Sequence, residues 1–303
     1  MISHIGELAA FGTSVSWAVA ALIMEKSVRK VGVMAVNTLK VAFGTIYLAL
    51  LAFLLNGSFF PLGLSSSSWI FLCASGVFGF VIGDFFLLHA YRMIGSRLSL
   101  LLMALSVPLT AIGALVLWNE RMGSWALAGM LLCVSGIAIT VMAGGKQNER
   151  LSAEHAVKPS VYRKGVIYGI LSALCMVVAT LCTKAGAAGV NSVSATQVRI
   201  FSSFIGFVIF ALLTRKGSEV TVVVKTGKGL GMIALGAVFG PFIGVGFLLF
   251  ALQNADAGIV STLSSLSPVL IIPPSVIFLK RRVSSGEVIG ACLAMCGLAL
   301  LFL

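Results

Sequence analysis

Three ionisable side chains, Lys40, Asp84 and Arg199, stand inside long apolar stretches of this sequence. A charge at the centre of a bilayer costs about 2.5 to 3.5 kcal/mol on insertion scales, so one retained there marks function by default. Asp84 is the deepest acid, in the run GDFFLLHAYR, with Phe80 one turn before it and Tyr91 seven residues on along the same helical face. Such a carboxylate either binds a proton or a cation, or forms half of a structural ion pair. Lys40 is the expected partner: counted from the starts of their runs at about 1.5 Å per residue, Lys40 and Asp84 lie roughly 9 Å and 8 Å from one face of a core about 30 Å thick. Arg199 has no acid in the corresponding place and is left to meet Glu120, Glu7 or an anionic group of a substrate. Trp17, Asn37 and Gln197 carry polar tips within apolar runs and are candidate cavity liners. His89 is turned about 140° from Asp84 at 100° per residue, which suits a packing role better than a shared site.

The rest of the chemistry is sparse. The six cysteines lie within apolar runs without metal-ligand spacing, so they read as small core residues, and no metal site or cofactor is expected. No phosphate-binding loop of the G-x-x-x-x-G-K-[ST] type is present, which disfavours ATP-driven work. No nucleophile-base arrangement stands out, so an enzyme is not the expectation. The residues MISHIGELAAF lack a basic leader and a small-residue cleavage site, and no removable signal peptide is expected.

These residues are carried by an unusually apolar chain. Of 303 residues, 59% are hydrophobic and only 10% charged, with a mean hydropathy of +1.10, far from the quarter or so charged that is typical of soluble proteins. The composition predicts an all-α integral membrane protein whose main partner is the lipid bilayer. Ten runs are long enough to span: 5–24, 34–55, 69–91, 98–118, 125–143, 166–183, 193–213, 230–252, 258–279 and 286–303. The net charge of +12 would suggest nucleic acid in a soluble protein, but here the bases sit between runs and set orientation. Seventeen of the 21 Lys and Arg follow the odd-numbered runs, two (Arg121 and Lys184) lie on the other side, and Lys40 and Arg199 are inside helices. The positive-inside rule then predicts a multi-pass protein of the cell membrane with both termini outside.

An internal duplication organises the runs. Val77 to Ala90 and Val238 to Ala251, offset by 161, share nine of fourteen residues, several times the agreement that composition alone would give. The predicted halves are residues 1–143 and 165–303, joined by a polar linker at 144–164. Five spans per half is an odd number, so the second copy enters the membrane inverted. Inverted repeats are typical of secondary transporters with sites near the midplane. Small residues recur every fourth position in the third run (Ser75, Gly79, Gly83) and the eighth (Gly236, Gly240, Gly244), which predicts close helix contacts in lipid. Pro108, Pro241 and Pro268 lie inside spans and are candidate hinges or static kinks.

The five-plus-five layout, Ala90-Tyr91-Arg92, the proline of the fourth run and the Asn119-Glu120-Arg121 turn leading to Gly129 and Gly136 together resemble the drug/metabolite transporter superfamily, in its EamA-type ten-helix branch. Gly83-Asp84 is similar to a GD pair of one of its subgroups. Lys280-Arg281-Arg282 and Leu252-Gln253 depart from the pattern, and the family's usual termini-inside orientation runs against the charge count. The resemblance implies export or exchange of small metabolites such as amino acids, or of drugs; the buried Asp84 makes protons the candidate coupling ion. A membrane-embedded enzyme and a non-transporting sensor or accessory subunit remain the alternative classes.

Overall fold

The computed structural model describes residues 4–57, 59–61, 63–118, 123–149, 158–214, 217–255, 257–279 and 284–301. Every regular element among them is helical. The helices are α1 (Ile5–Val31), α2 (Val33–Asn56), α3 (Ser66–Ile94), α4 (Ser96–Trp118), α5 (Ser124–Glu149), α6 (Pro159–Gly186), α7 (Ser192–Leu213) and the short α8 (Gly217–Thr226). Then come α9, in consecutive pieces Leu230–Ala237, Val238–Gly244 and Val245–Asn254, and α10, in pieces Ala257–Ser264, Ser267–Leu270 and Ile272–Leu279. The last helix is α11 (Ser285–Leu301).

Eight helices among the described residues are long and apolar enough to cross a membrane, namely α1 to α7 and the Leu230–Leu248 part of α9. Ser267–Ile277 and Ser285–Leu300 are shorter apolar helices, so the expected ten full-length runs come out as eight and two. The interruption of α10 has a local cause. Pro268 offers no N–H to the carbonyl four residues back, at Ser264, and the helix breaks between Ser264 and Ser267. Pro108 and Ala104 repeat this relation in α4, which is interrupted between Met103 and Ser106.

Two expected boundaries shift. Helix α1 continues past residue 24 to Val31, because Met24, Glu25, Ser27 and Val28 are buried against neighbours while Lys26, Arg29 and Lys30 face outward. Residues 144–149 continue α5, and residues 159–164 open α6 with Pro159 in the first turn, where its missing N–H costs nothing. Of the predicted 144–164 linker, only 158 lies outside a helix among the described residues. Single glycines join α1 to α2 and α3 to α4: Gly32 (φ +91°) and Gly95 (φ +87°) adopt a conformation in which a Cβ would be strained.

The small-residue faces position the bundle. Along α3, Ser75 donates to the Ala179 carbonyl at 2.7 Å, a Cβ on Gly79 would lie 3.1 Å from that of Ala179, and one on Gly83 would lie 3.4 Å from that of Cys175. All three partners belong to α6. Along α9, Gly236 faces Met24, Gly240 faces Ala20 and Gly244 faces the Trp17 indole, all on α1. The third long helix of each half therefore packs on the first helix of the other. Helices α5 and α11 meet backbone to backbone, with Gly136 against Gly290 and Ala294, and Gly297 against Gly129 and Cys133. Rising numbers in α11 meet falling ones in α5, so the pair is antiparallel.

A feature without compositional signal lies inside both ladders. Val77–Gly83 in α3 and Val238–Gly244 in α9 are π-helical, the same seven positions of each repeat. Such segments carry one extra residue per hydrogen-bonded turn and recur at functional sites. Pro241 sits inside the second, where the looser ladder tolerates its missing donor.

Candidate functional site

Asp84 is the first residue after the π segment of α3, where the helix re-tightens. Its Oδ2 accepts from Lys40 Nζ of α2 at 2.5 Å, with both side chains largely withdrawn from solvent. At low dielectric such a charge-assisted bond is strong, and it offsets the desolvation that each charge would otherwise suffer. Arg199 approaches from α7. Its guanidinium lies 5.2 Å from the centroid of the Phe80 ring, one turn before Asp84, and its Nε is buried with no hydrogen-bond partner. No ion pair joins Arg199 to Glu7 among the described residues; Glu7 holds His4 at 2.9 Å. Glu120 lies outside the described residues.

The other expected liners distribute unevenly. Asn37, one turn before Lys40, is 0% exposed, and neither amide atom has a hydrogen-bond partner. Tyr91 is buried among Val36, Leu87 and Leu88, in the core that joins α1, α2 and α3. Gln197 turns away from this centre: it sits two residues, or about 200° around the helix, from Arg199 and donates to the Phe59 carbonyl beyond the end of α2. Trp17 spends its indole on Gly244 of α9. His89 bonds the Phe85 carbonyl at 2.8 Å and packs edgewise against the Phe85 and Tyr168 rings.

Two acids near the ends of apolar runs, Glu25 and Glu287, are buried in the structure. Glu25 is 1% exposed and Glu287 is 4% exposed. Glu25 Oε2 accepts from the Ser96 backbone N–H and hydroxyl, both at 2.7 Å, so it caps α4 from α1, and its Oε1 accepts from Arg29 at 3.1 Å. The next residue, Arg97, donates to both Glu287 oxygens of α11 at 2.9 and 3.0 Å, and Ser284 N–H adds a third bond at 3.0 Å. The first turn of α4 is thereby held from two sides. Their sequence surroundings, EKSVRK and VSSGEV, look like ordinary polar ends, and no local pattern names the partners.

An all-helical bundle with membrane-length apolar helices and ion pairs inside its body is a multi-pass integral membrane protein. The chain belongs to the EamA-like transporter family, which matches residues 4–142 and again 163–303, so the protein is a membrane transporter of the drug/metabolite superfamily. One solved structure, described only as the crystal structure of a protein, is similar to it with a TM-score of 0.58 at 20% identity, over 99% of this chain and 96% of the other, a likeness of fold alone. No curated protein matches the chain.

Proposed function

We propose that the chain is a secondary active transporter of the cell membrane that exports or exchanges small metabolites or drugs by alternating access. Ten spans, the two short apolar helices included, form two inverted halves, residues 1–143 and 165–303, with both termini outside. The observation that carries this reading is the Lys40–Asp84 pair, charged groups joined at 2.5 Å within apolar helices beside a half-satisfied Arg199. Scaffold alone would be served better by apolar residues, because replacing a buried ion pair with packed hydrophobes is often neutral or stabilising. The reciprocal packing of α3 on α6 and α9 on α1 supports a rocking motion of matched pairs, and Pro108 and Pro268 sit at breaks able to flex with it. Protons are the simplest coupling ion for a carboxylate in this place. The test is flux through purified protein in proteoliposomes, with a metabolite panel and an imposed proton gradient. Substrate movement without chemical change is the expected result; turnover without movement would point to an enzyme, and neither would leave a sensor.

A further inference from the structure

We infer that Arg199, laid over the Phe80 ring, is the cation that anchors the substrate, and that it takes the carboxylate of a small monocarboxylic acid. The inference rests on the transporter reading above and names its substrate class.

The fold mounts Arg199 firmly. It is the eighth residue of α7, about 10 Å from the start of that helix at 1.5 Å per residue, so its charge stands well inside an apolar span. At its base α7 rests directly on α3: a Cβ on Gly76 would run into the Arg199 carbonyl, and the Ser203 hydroxyl donates to the Gly76 carbonyl at 2.9 Å. Phe80 follows four residues along α3, and the guanidinium stands over its ring, 5.2 Å from the centroid. The exposed apolar residues Ile205, Val208, Ile209 and Leu212 of α7 lie about 80° to 180° around the helix from Arg199. The side chain is therefore turned from the lipid towards the bundle. Phe80 covers one face of the guanidinium, and a planar cation held on an aromatic face keeps its N–H edge for a ligand.

What the fold withholds is an anion. Other cations held against the bundle have one: Lys40 has Asp84, Arg97 has Glu287 and Arg29 has Glu25. Arg199 has no ion pair among the described residues, and its Nε is buried without a hydrogen-bond partner. The repeat accounts for the difference. Arg199 is the counterpart of Lys40 at an offset of 159, and Val245 stands where an acid matching Asp84 would be. A buried charge without a counter-ion is costly, so the anion comes with the substrate. A carboxylate matches the guanidinium fork through two parallel N–H bonds, one of them at the unserved Nε. One cation balances one negative charge, which disfavours a dianion. Each acid described on α1, α3 and α11 is engaged, Asp84, Glu25 and Glu287 by the cations above and Glu7 by His4. An ammonium group therefore finds no free carboxylate there, which disfavours a zwitterionic amino acid.

The experiment titrates the purified full chain by thermal shift with three acid–amide pairs: acetate and acetamide, lactate and lactamide, benzoate and benzamide. Alanine serves as zwitterion and glycerol phosphate as dianion, and flux of the same probes is followed in proteoliposomes. Wild type should bind at least one acid about tenfold more tightly than its amide, and more tightly than alanine or glycerol phosphate. Arg199→Gln should abolish that preference. Arg199→Lys, which keeps the charge but loses the fork, should retain only part of it. Lys26→Gln, which removes an exposed cation, should leave it intact. Size-exclusion profiles screen every variant for folding, and the wild-type pairs with Arg199→Lys decide the matter even if Arg199→Gln misfolds. No acid-over-amide preference in wild type, or an undiminished one in either Arg199 variant, would overturn the inference. Tighter binding of alanine or glycerol phosphate would overturn the monocarboxylate class. Flux without any acid preference would remove the anchor and leave the transporter reading standing, whereas Arg199-dependent acid binding without flux would keep the anchor and count against transport.

Discussion

The Lys40 ammonium and the Asp84 carboxylate meet at 2.5 Å across neighbouring helices, inside a body from which most other charge is excluded. Removing one member leaves the other buried alone, a loss of about 3 to 5 kcal/mol, whereas removing both is often close to neutral. Lys40→Met and Asp84→Asn should each lower the thermal midpoint in detergent, and Lys40→Met/Asp84→Leu should recover most of it. Substrate flux should stay lost in all three. A recovered midpoint with recovered flux would mean that the pair is scaffold.

Backbone approach predicts a ranking among glycine substitutions. A Cβ on Gly297 or Gly136 would run into main-chain atoms of the facing helix, whereas one on Gly240 would rest 3.7 Å from the Ala20 methyl. Overpacking costs about 1 to 3 kcal/mol. Gly136→Ala and Gly297→Ala should fall at the upper end, and Gly240→Ala should be near neutral. Gly79→Leu, with Ala179 already at 3.1 Å, should cost folding or transport, and Gly240→Leu should do so less severely. Thermal unfolding of the five variants checks the order.

The grip on α4 gives a charge-swap test. Arg97→Ala should strand the nearly buried Glu287 at a cost of about 3 to 5 kcal/mol. Arg97→Glu/Glu287→Arg should restore part of the stability that either reversal alone removes. Additive losses in the double-mutant cycle would show that the two side chains do not act as a pair.

Orientation is the cheapest prediction to check. With seventeen basic residues on one side and two on the other, a reporter active only in the cytoplasm, fused after Leu303, should stay dark. Bright cells would place the C-terminus inside and reverse the membrane frame.

Much of this architecture was legible from spacing. The offset of 161 located both ladders, and depth counting along consecutive runs brought Lys40 to Asp84. The unseen parts depend on tertiary partners. Nothing beside Glu25 in the sequence announces that the start of α4 will arrive to be capped. Gln197 was correctly placed in a helix, but the chain just past α2 decides what it bonds. Arg199 meets the Phe80 ring, one turn before Asp84, because α7 packs beside α3, a contact that periodicity within one helix cannot encode.

The paired π segments also set a phase. Val77–Gly83 and Val238–Gly244 occupy the same seven positions of the two copies, so both helices change their turn at the same point. Deleting one residue within either segment would turn everything downstream by about 100° relative to the ladder. In α3 that would swing Asp84 off Lys40 while leaving every side chain of the site present. The length of the segment therefore aims the acid as much as its composition does. Asp84 stands against Val245 in the other copy, so the shared phase aims an acid in one half alone.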